Sequence, residues 1–190
     1  MSSIWVGERV RLRAVEPEES LVLMEFDQDT TVLRNNDQIH PPRSKAGYLK
    51  RAEASVGGSG DDDRFGLGIE SLSDGRLVGG LGTDGVDKNA GVFSYGISIG
   101  PEFQRHGYAT EAIVLLLRYM FGERRFQKCD VGIYAFNTAS LQLHRQLGFL
   151  EEGRRRRSQF FAGEYHDVVL MGMTVEEYTA AHSLGSVTSA

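Results

Sequence analysis

Apolar positions recur at every second residue near the start of the chain. Val10, Leu12 and Ala14 alternate with Arg9, Arg11 and Arg13, the period of a half-buried strand. Pro17, followed by Glu18 and Glu19, opens a helix over residues 16–29, and Ser44 caps a second over 44–55. The polar stretch VGGSGDDDR, 56–64, reads as a loop. Strands follow over 65–71, 76–82 and 91–99, separated by the turn signals SDG and DKNAG. An almost unbroken apolar pattern predicts a helix over 108–121, then a strand over 128–134. A helix opens at Asn137 and stops at Gly148, and strands lie near 149–160 and 165–173. Thr174 and Glu177 form a capping box for a short last helix. With no internal repeat and no linker, the pattern predicts one α+β domain over 1–183, with 184–190 a frayed tail.

Composition narrows the class. The 190 residues suit one domain, and a net charge of −5 argues against nucleic acid as a bulk partner. A single cysteine, Cys129, forms no internal disulfide, which fits a reducing, cytoplasmic compartment. No apolar span of about 18 residues is present, so no membrane partner is expected. Metal-ligand spacing is absent, and no metal is expected.

Three short motifs carry chemistry. GLGTDG, 80–85, matches G-x-G-x-x-G, but turn and strand follow it instead of a helix, so its glycines read as punctuation. GISIG, 96–100, matches the nucleophile elbow of serine hydrolases, yet Ser98 sits inside an alternating run and Pro101 delays any helix. PEFQRHGYATEA, 101–112, joins a strand to a helix. A helix start leaves N–H groups unpaired and carries partial positive charge, which suits a phosphate. Gly107 allows close backbone approach, Ala109 keeps the loop tight, and Arg105 and His106 add donors. From this segment alone, an anion cradle and an ordinary turn remain equal readings.

The context separates them. Q-R-H-G-Y-A, 104–109, resembles the [Q/R]-x-x-G-x-[G/A] signature of the GNAT superfamily of acyl-CoA-dependent N-acyltransferases. NTASLQLHRQLGF, 137–149, resembles the family's Asn-led helix ending in Leu-Gly-Phe. GERVRLRAV, 7–15, and GEYHDVVLMGMT, 163–174, resemble the subgroup of Rim-type ribosomal-protein Nα-acetyltransferases and spermidine/spermine acetyltransferases. The resemblance implies a central mixed, mostly antiparallel sheet flanked by helices, with a splayed strand near 92–99.

It also implies a site. Coenzyme A would lay its pyrophosphate on the N–H groups of Gln104, Arg105, His106, Gly107, Tyr108, Ala109 and Thr110, and its pantetheine arm along Ile97, Ser98 and Ile99. Ser94, Gly96 and Ser98 leave one face of that strand small. Asn137, with Ser140 a turn on, would contact the pantetheine, although Asn137 is also a good N-cap. His144 stands where many relatives have a tyrosine that protonates the departing thiolate. A protonated imidazole, or an Nε2–H that orients the sulfur, could serve, and the alternative reading is a partly exposed helix histidine. Where Rim-type relatives carry a glutamate base this chain has Ser94, and Glu70, Asp84 or a water chain could accept the proton. The arginines at 154–157 read as a solvated edge or as a hold on an acidic group, whereas the acidic 60–64 loop would attract a cation.

The implied function is acetyl transfer from acetyl-CoA to a primary amine (a protein N-terminus, a polyamine or another small amine) by direct attack in a ternary complex. A homodimer is compatible with this. The alternatives are a non-catalytic acyl-CoA-binding domain and a serine hydrolase using Ser98.

Overall fold

The computed structural model describes residues 3–26, 28–36, 39, 41–56 and 63–182. The expected tail over 184–190 and most of the acidic loop lie outside the described residues. Seven strands form one mixed sheet flanked by helices: β1 (Val10–Arg13), β2 (Gly66–Ser71), β3 (Leu77–Asp87), β4 (Val92–Ile99), β5 (Lys128–Tyr134), β6 (Leu150–Phe161) and β7 (Glu164–Thr174). The helices are α1 (Ser20–Phe26), α2 (Thr30–Asn36), α3 (Lys45–Val56), α4 (Tyr108–Gly122), α5 (Thr138–Leu147) and α6 (Val175–Ala181). The strand order is β1-β2-β3-β4-β5-β7-β6. The β1/β2, β2/β3, β5/β7 and β6/β7 ladders are antiparallel. The β4/β5 ladder is parallel, and α4 supplies the crossover that such a pair needs.

The chain clusters into two compact units, Met1–Asp84 with Tyr95–Leu115, and Gly85–Ser94 with Leu116–Ala190. In the first, the alternation predicted for the opening residues holds: Val10 and Leu12 are buried while Arg11 is exposed. Ile69, Val78, Leu81, Tyr95 and Ile113 complete that core. In the second, Phe93 meets Phe121 and Phe126 edge to face, at centroid distances of 5.9 and 5.3 Å. Tyr178 meets Phe121 at 5.4 Å, and Val169, Met171 and Met173 are buried in the same unit.

Two elements differ from expectation. The chain forms α2 where the sequence pattern ended a single helix at 29, because the Asp29 carboxylate accepts the Thr31 N–H at 2.7 Å and starts a new turn. Strand β3 runs on to Asp87 instead of stopping at 82, since Thr83 exchanges bonds with the Phe65 main chain.

Candidate active site

The stretch 99–111 is built within the first unit. Gly100 donates its N–H to Val78 O at 2.9 Å and lies so close under the Phe26 ring that a Cβ there would overlap it. A turn of 3₁₀ helix over Pro101–Phe103 then buries Phe103, whose ring meets Phe26 edge to face at 6.1 Å. With both ends of that turn anchored, the next four residues are exposed. Gln104 Nε2 donates back to Ile99 O at 3.3 Å. Arg105 takes φ +66° and Gly107 φ +81°, both in the left-handed region. Glycine adopts that conformation freely, whereas arginine does so at a cost that a functional loop commonly carries. The His106 ring stacks on Tyr108 at 5.6 Å and its Nδ1 lies 3.2 Å from Phe103 O.

Helix α4 begins directly after Gly107, and its first intrahelical bond runs from Glu111 N to Gly107 O at 3.2 Å. The N–H groups of Tyr108, Ala109 and Thr110 precede that bond and point out of the positive end of the helix. Residues 104–110, singled out as the cradle, thus come together as one turn-and-helix-start.

One carboxylate here carries no signal in the sequence. Glu111 accepts three successive backbone N–H groups, from Glu8 at 2.8 Å and from Arg9 and Val10 at 2.7 Å each. A Cβ on Gly7 would overlap the Glu111 carboxyl, so glycine at that position lets the clamp close. The entry to β1 is thereby fixed to the first turn of α4.

Ile97, Ser98 and Ile99 form the last turn-free part of β4, with Phe93 and Tyr95 buried on one face as the alternation required. Gly96 is exposed, and a Cβ there would meet no heavy atom within 4 Å. Ser98 is an extended-strand residue and not the tip of a strand-to-helix turn, so the hydrolase elbow is not formed. Likewise GLGTDG lies inside β3 and opens no helix.

In the second unit, Asn137 Oδ1 accepts the Ser140 N–H at 3.1 Å and so caps α5. The helix ends at Gly148, with φ +99°, whose N–H bonds to Arg145 O at 3.1 Å while Phe149 N–H bonds to His144 O at 3.0 Å. His144 is 3% exposed, not the partly exposed helix histidine of the alternative reading, and its ring meets Phe149 edge to face at 5.1 Å. Its Nδ1 donates to Ser140 O at 2.8 Å. A carbonyl can only accept, so the hydrogen of the neutral ring sits on Nδ1 and leaves Nε2 an acceptor. Burial pushes the His144 pKa down, and the Ser140 bond offsets this only in part. The expectation of an Nε2–H donor is corrected: at neutral pH this ring takes a proton there before it can give one.

Glu70 is a poor base. Burial would raise its pKa, but Arg11 and Arg13 outweigh burial and hold it below the ordinary value. Asp84 is exposed at the end of the first unit. The arginines 154–157 are exposed on β6, the outermost strand. Arg154 pairs with Asp167 at 3.5 Å, and Arg157 lies over the Tyr165 ring at 4.8 Å, which is the solvated-edge reading. Among the described residues no group of three or more His, Cys, Asp or Glu could hold a metal, and no helix is long and apolar enough to cross a membrane.

The model of the acetyltransferase (GNAT) domain matches residues 9–150. The chain belongs to the GNAT acetyltransferase family. It is 35% identical over 178 residues to the SPbeta prophage-derived uncharacterized N-acetyltransferase YokL of Bacillus subtilis (strain 168), covering 94% of this chain and 97% of that one. A spermidine N(1)-acetyltransferase of Escherichia coli (strain K12) is 31% identical over 86 residues, 45% of this chain and 46% of its own length. The fold is shared with the spermidine N-acetyltransferase from Vibrio cholerae, solved in complex with CoA and spermine, at a TM-score of 0.78 and 20% identity over 90% of this chain and 98% of that chain. The putative ribosomal N-acetyltransferase YdaF of Bacillus subtilis (strain 168) is 30% identical over 113 residues, 58% of this chain and 62% of that one. This GNAT protein is therefore an N-acetyltransferase, and its relatives agree with the Rim-type and spermidine-acetyltransferase subgroup named from its motifs.

Proposed function

We propose that the chain moves an acetyl group from acetyl-CoA to a primary amine, whether a protein N-terminus, a polyamine or another small amine, by direct attack in a ternary complex. The observation that carries this reading is the turn over 104–110, where two left-handed residues lead into unpaired helix N–H groups beside Arg105. Such a turn suits a pyrophosphate. The pantetheine arm runs along Ile97, Ser98 and Ile99, a reading supported by the open space at Gly96. It is supported further by the β4/β5 ladder, which pairs Val92 with Lys128 and Phe93 with Cys129 at the far end of β4. The likeness of the Asn-led helix to the family's makes Asn137 and Ser140 the residues proposed to contact the pantetheine.

In the reaction the amine nitrogen attacks the thioester carbonyl, the C–N bond forms, the C–S bond breaks, and the proton lost by nitrogen ends on the departing sulfur. His144 is the residue proposed to exchange that proton, with Nε2 accepting it from nitrogen and returning it to the thiolate. Positioning of amine and thioester supplies the rest. A cytoplasmic setting is part of the same reading, supported by a single cysteine that is buried.

Thermal unfolding with and without acetyl-CoA tests the cradle. Binding to the native state raises the midpoint by mass action. The wild type is expected to shift upward, Gly107→Ala less so, and Gly107→Glu not at all. An equal shift in wild type and Gly107→Glu would remove the cradle from 104–110.

A further inference from the structure

We propose that Arg9 is a further coenzyme-binding residue, whose guanidinium neutralises the pyrophosphate held by the 104–110 turn. The inference rests on the coenzyme A reading of that turn.

Arg11 and Arg13 share one face of β1, because alternate residues of a strand point the same way, and Arg9 precedes them just outside the strand. Two of the three are engaged with carboxylates. Arg11 Nε lies 2.7 Å from Glu70, and Arg13 bonds to Glu70 and, at 2.6 Å, to Glu19. Among the described residues the Arg9 guanidinium is paired with no carboxylate. Its main chain, in contrast, is held on both sides: the N–H donates to Glu111 at 2.7 Å and the carbonyl accepts the Leu72 N–H at 2.8 Å.

The side chain runs along Gly107. Its Cδ, Nε and Nη1 lie 3.7, 3.8 and 3.8 Å from the point that a Cβ on Gly107 would occupy. A cation is therefore stationed at the left-handed glycine of the turn, next to the helix end that receives the anion. The nearby Glu111 carboxylate does not compete for it, since three backbone N–H groups occupy its oxygens. A diphosphate ester is a doubly charged acceptor that a guanidinium grips with paired N–H groups.

Calorimetric titration of CoA and of 3′-dephospho-CoA into wild type, Arg9→Gln and Arg9→Lys tests this at low and high salt. Arg9→Gln is expected to weaken both ligands alike, by about tenfold. Arg9→Lys, which keeps the charge but not the paired N–H groups, should recover only part of the loss, and the gap between Arg9→Gln and wild type should narrow in high salt. Unchanged binding by Arg9→Gln, with wild type still binding CoA, overturns the role of Arg9 and leaves the cradle intact. A loss confined to CoA moves the contact to the 3′-phosphate and overturns the proposal, as does an Arg9→Lys variant no better than Arg9→Gln. A wild type that binds neither ligand refutes the cradle itself.

Discussion

His144 shows how a single hydrogen bond sets the direction of chemistry at one residue. The Ser140 carbonyl holds the hydrogen on Nδ1, and burial keeps the ring neutral. The native state then disfavours the protonated ring, whereas the unfolded chain gains a proton as pH falls past the ordinary histidine value of 6.5. The stabilising contribution is full above that value and is lost below it. His144→Gln lacks this titration, so urea midpoints measured from about pH 8 to about pH 5.5 should show the gap to wild type closing as pH falls. A gap that widens instead would mean that the folded ring is charged. The same variant should lower kcat by roughly 100-fold, with a much smaller effect on the KM for acetyl-CoA. An unchanged kcat would remove His144 from the proton transfer.

At the scale of elements, two carboxylates organise β1 from opposite ends. Glu70 on β2 gathers Arg11 and Arg13, and Glu111 on α4 gathers the N–H groups just before the strand. Losing the three Glu111 contacts should cost roughly 2 kcal/mol in all, well below three times the ~1.5 kcal/mol of a single bond to a charged acceptor, because two of the three donors are exposed and regain water. Gly7→Ala displaces the same carboxyl and should cost a similar amount. In urea unfolding the double variant Gly7→Ala/Glu111→Ala should then be little worse than either single one, whereas additive losses would show that Gly7 acts independently of the clamp. This clamp was not legible in the sequence, since a carboxylate bonded to main-chain N–H groups about a hundred residues away demands no particular side-chain partner. Helix α5 was legible, because Asn137 and Gly148 are local signals that act within their own turns. Helix α2 was not, because seven residues are too few to display a period and its start depends on one Asp29 contact.

Across the whole molecule, the order of elements and three separated motifs were enough to indicate the family, and the match over residues 9–150 agrees with them. What resisted sequence reading was protonation and electrostatics: which nitrogen of His144 bears the hydrogen, and which of three alternating arginines pair with Glu70. The first turns on a ring that reaches back to a carbonyl one turn earlier in its own helix, and the second on contacts between segments far apart in the chain. The central claim is that this enzyme moves the acetyl group of acetyl-CoA onto a primary amine and releases CoA as the thiol. The most direct measurement mixes the pure protein with acetyl-CoA and a panel of primary amines, including spermidine and peptides with free N-termini. Thiol release is followed and the product identified by mass spectrometry. The account predicts thiol release that requires one class of amine and matches the acetylated amine formed, mole for mole. Binding of acetyl-CoA with no amine-dependent thiol release across the panel would contradict it and mark the chain as an acyl-CoA-binding domain.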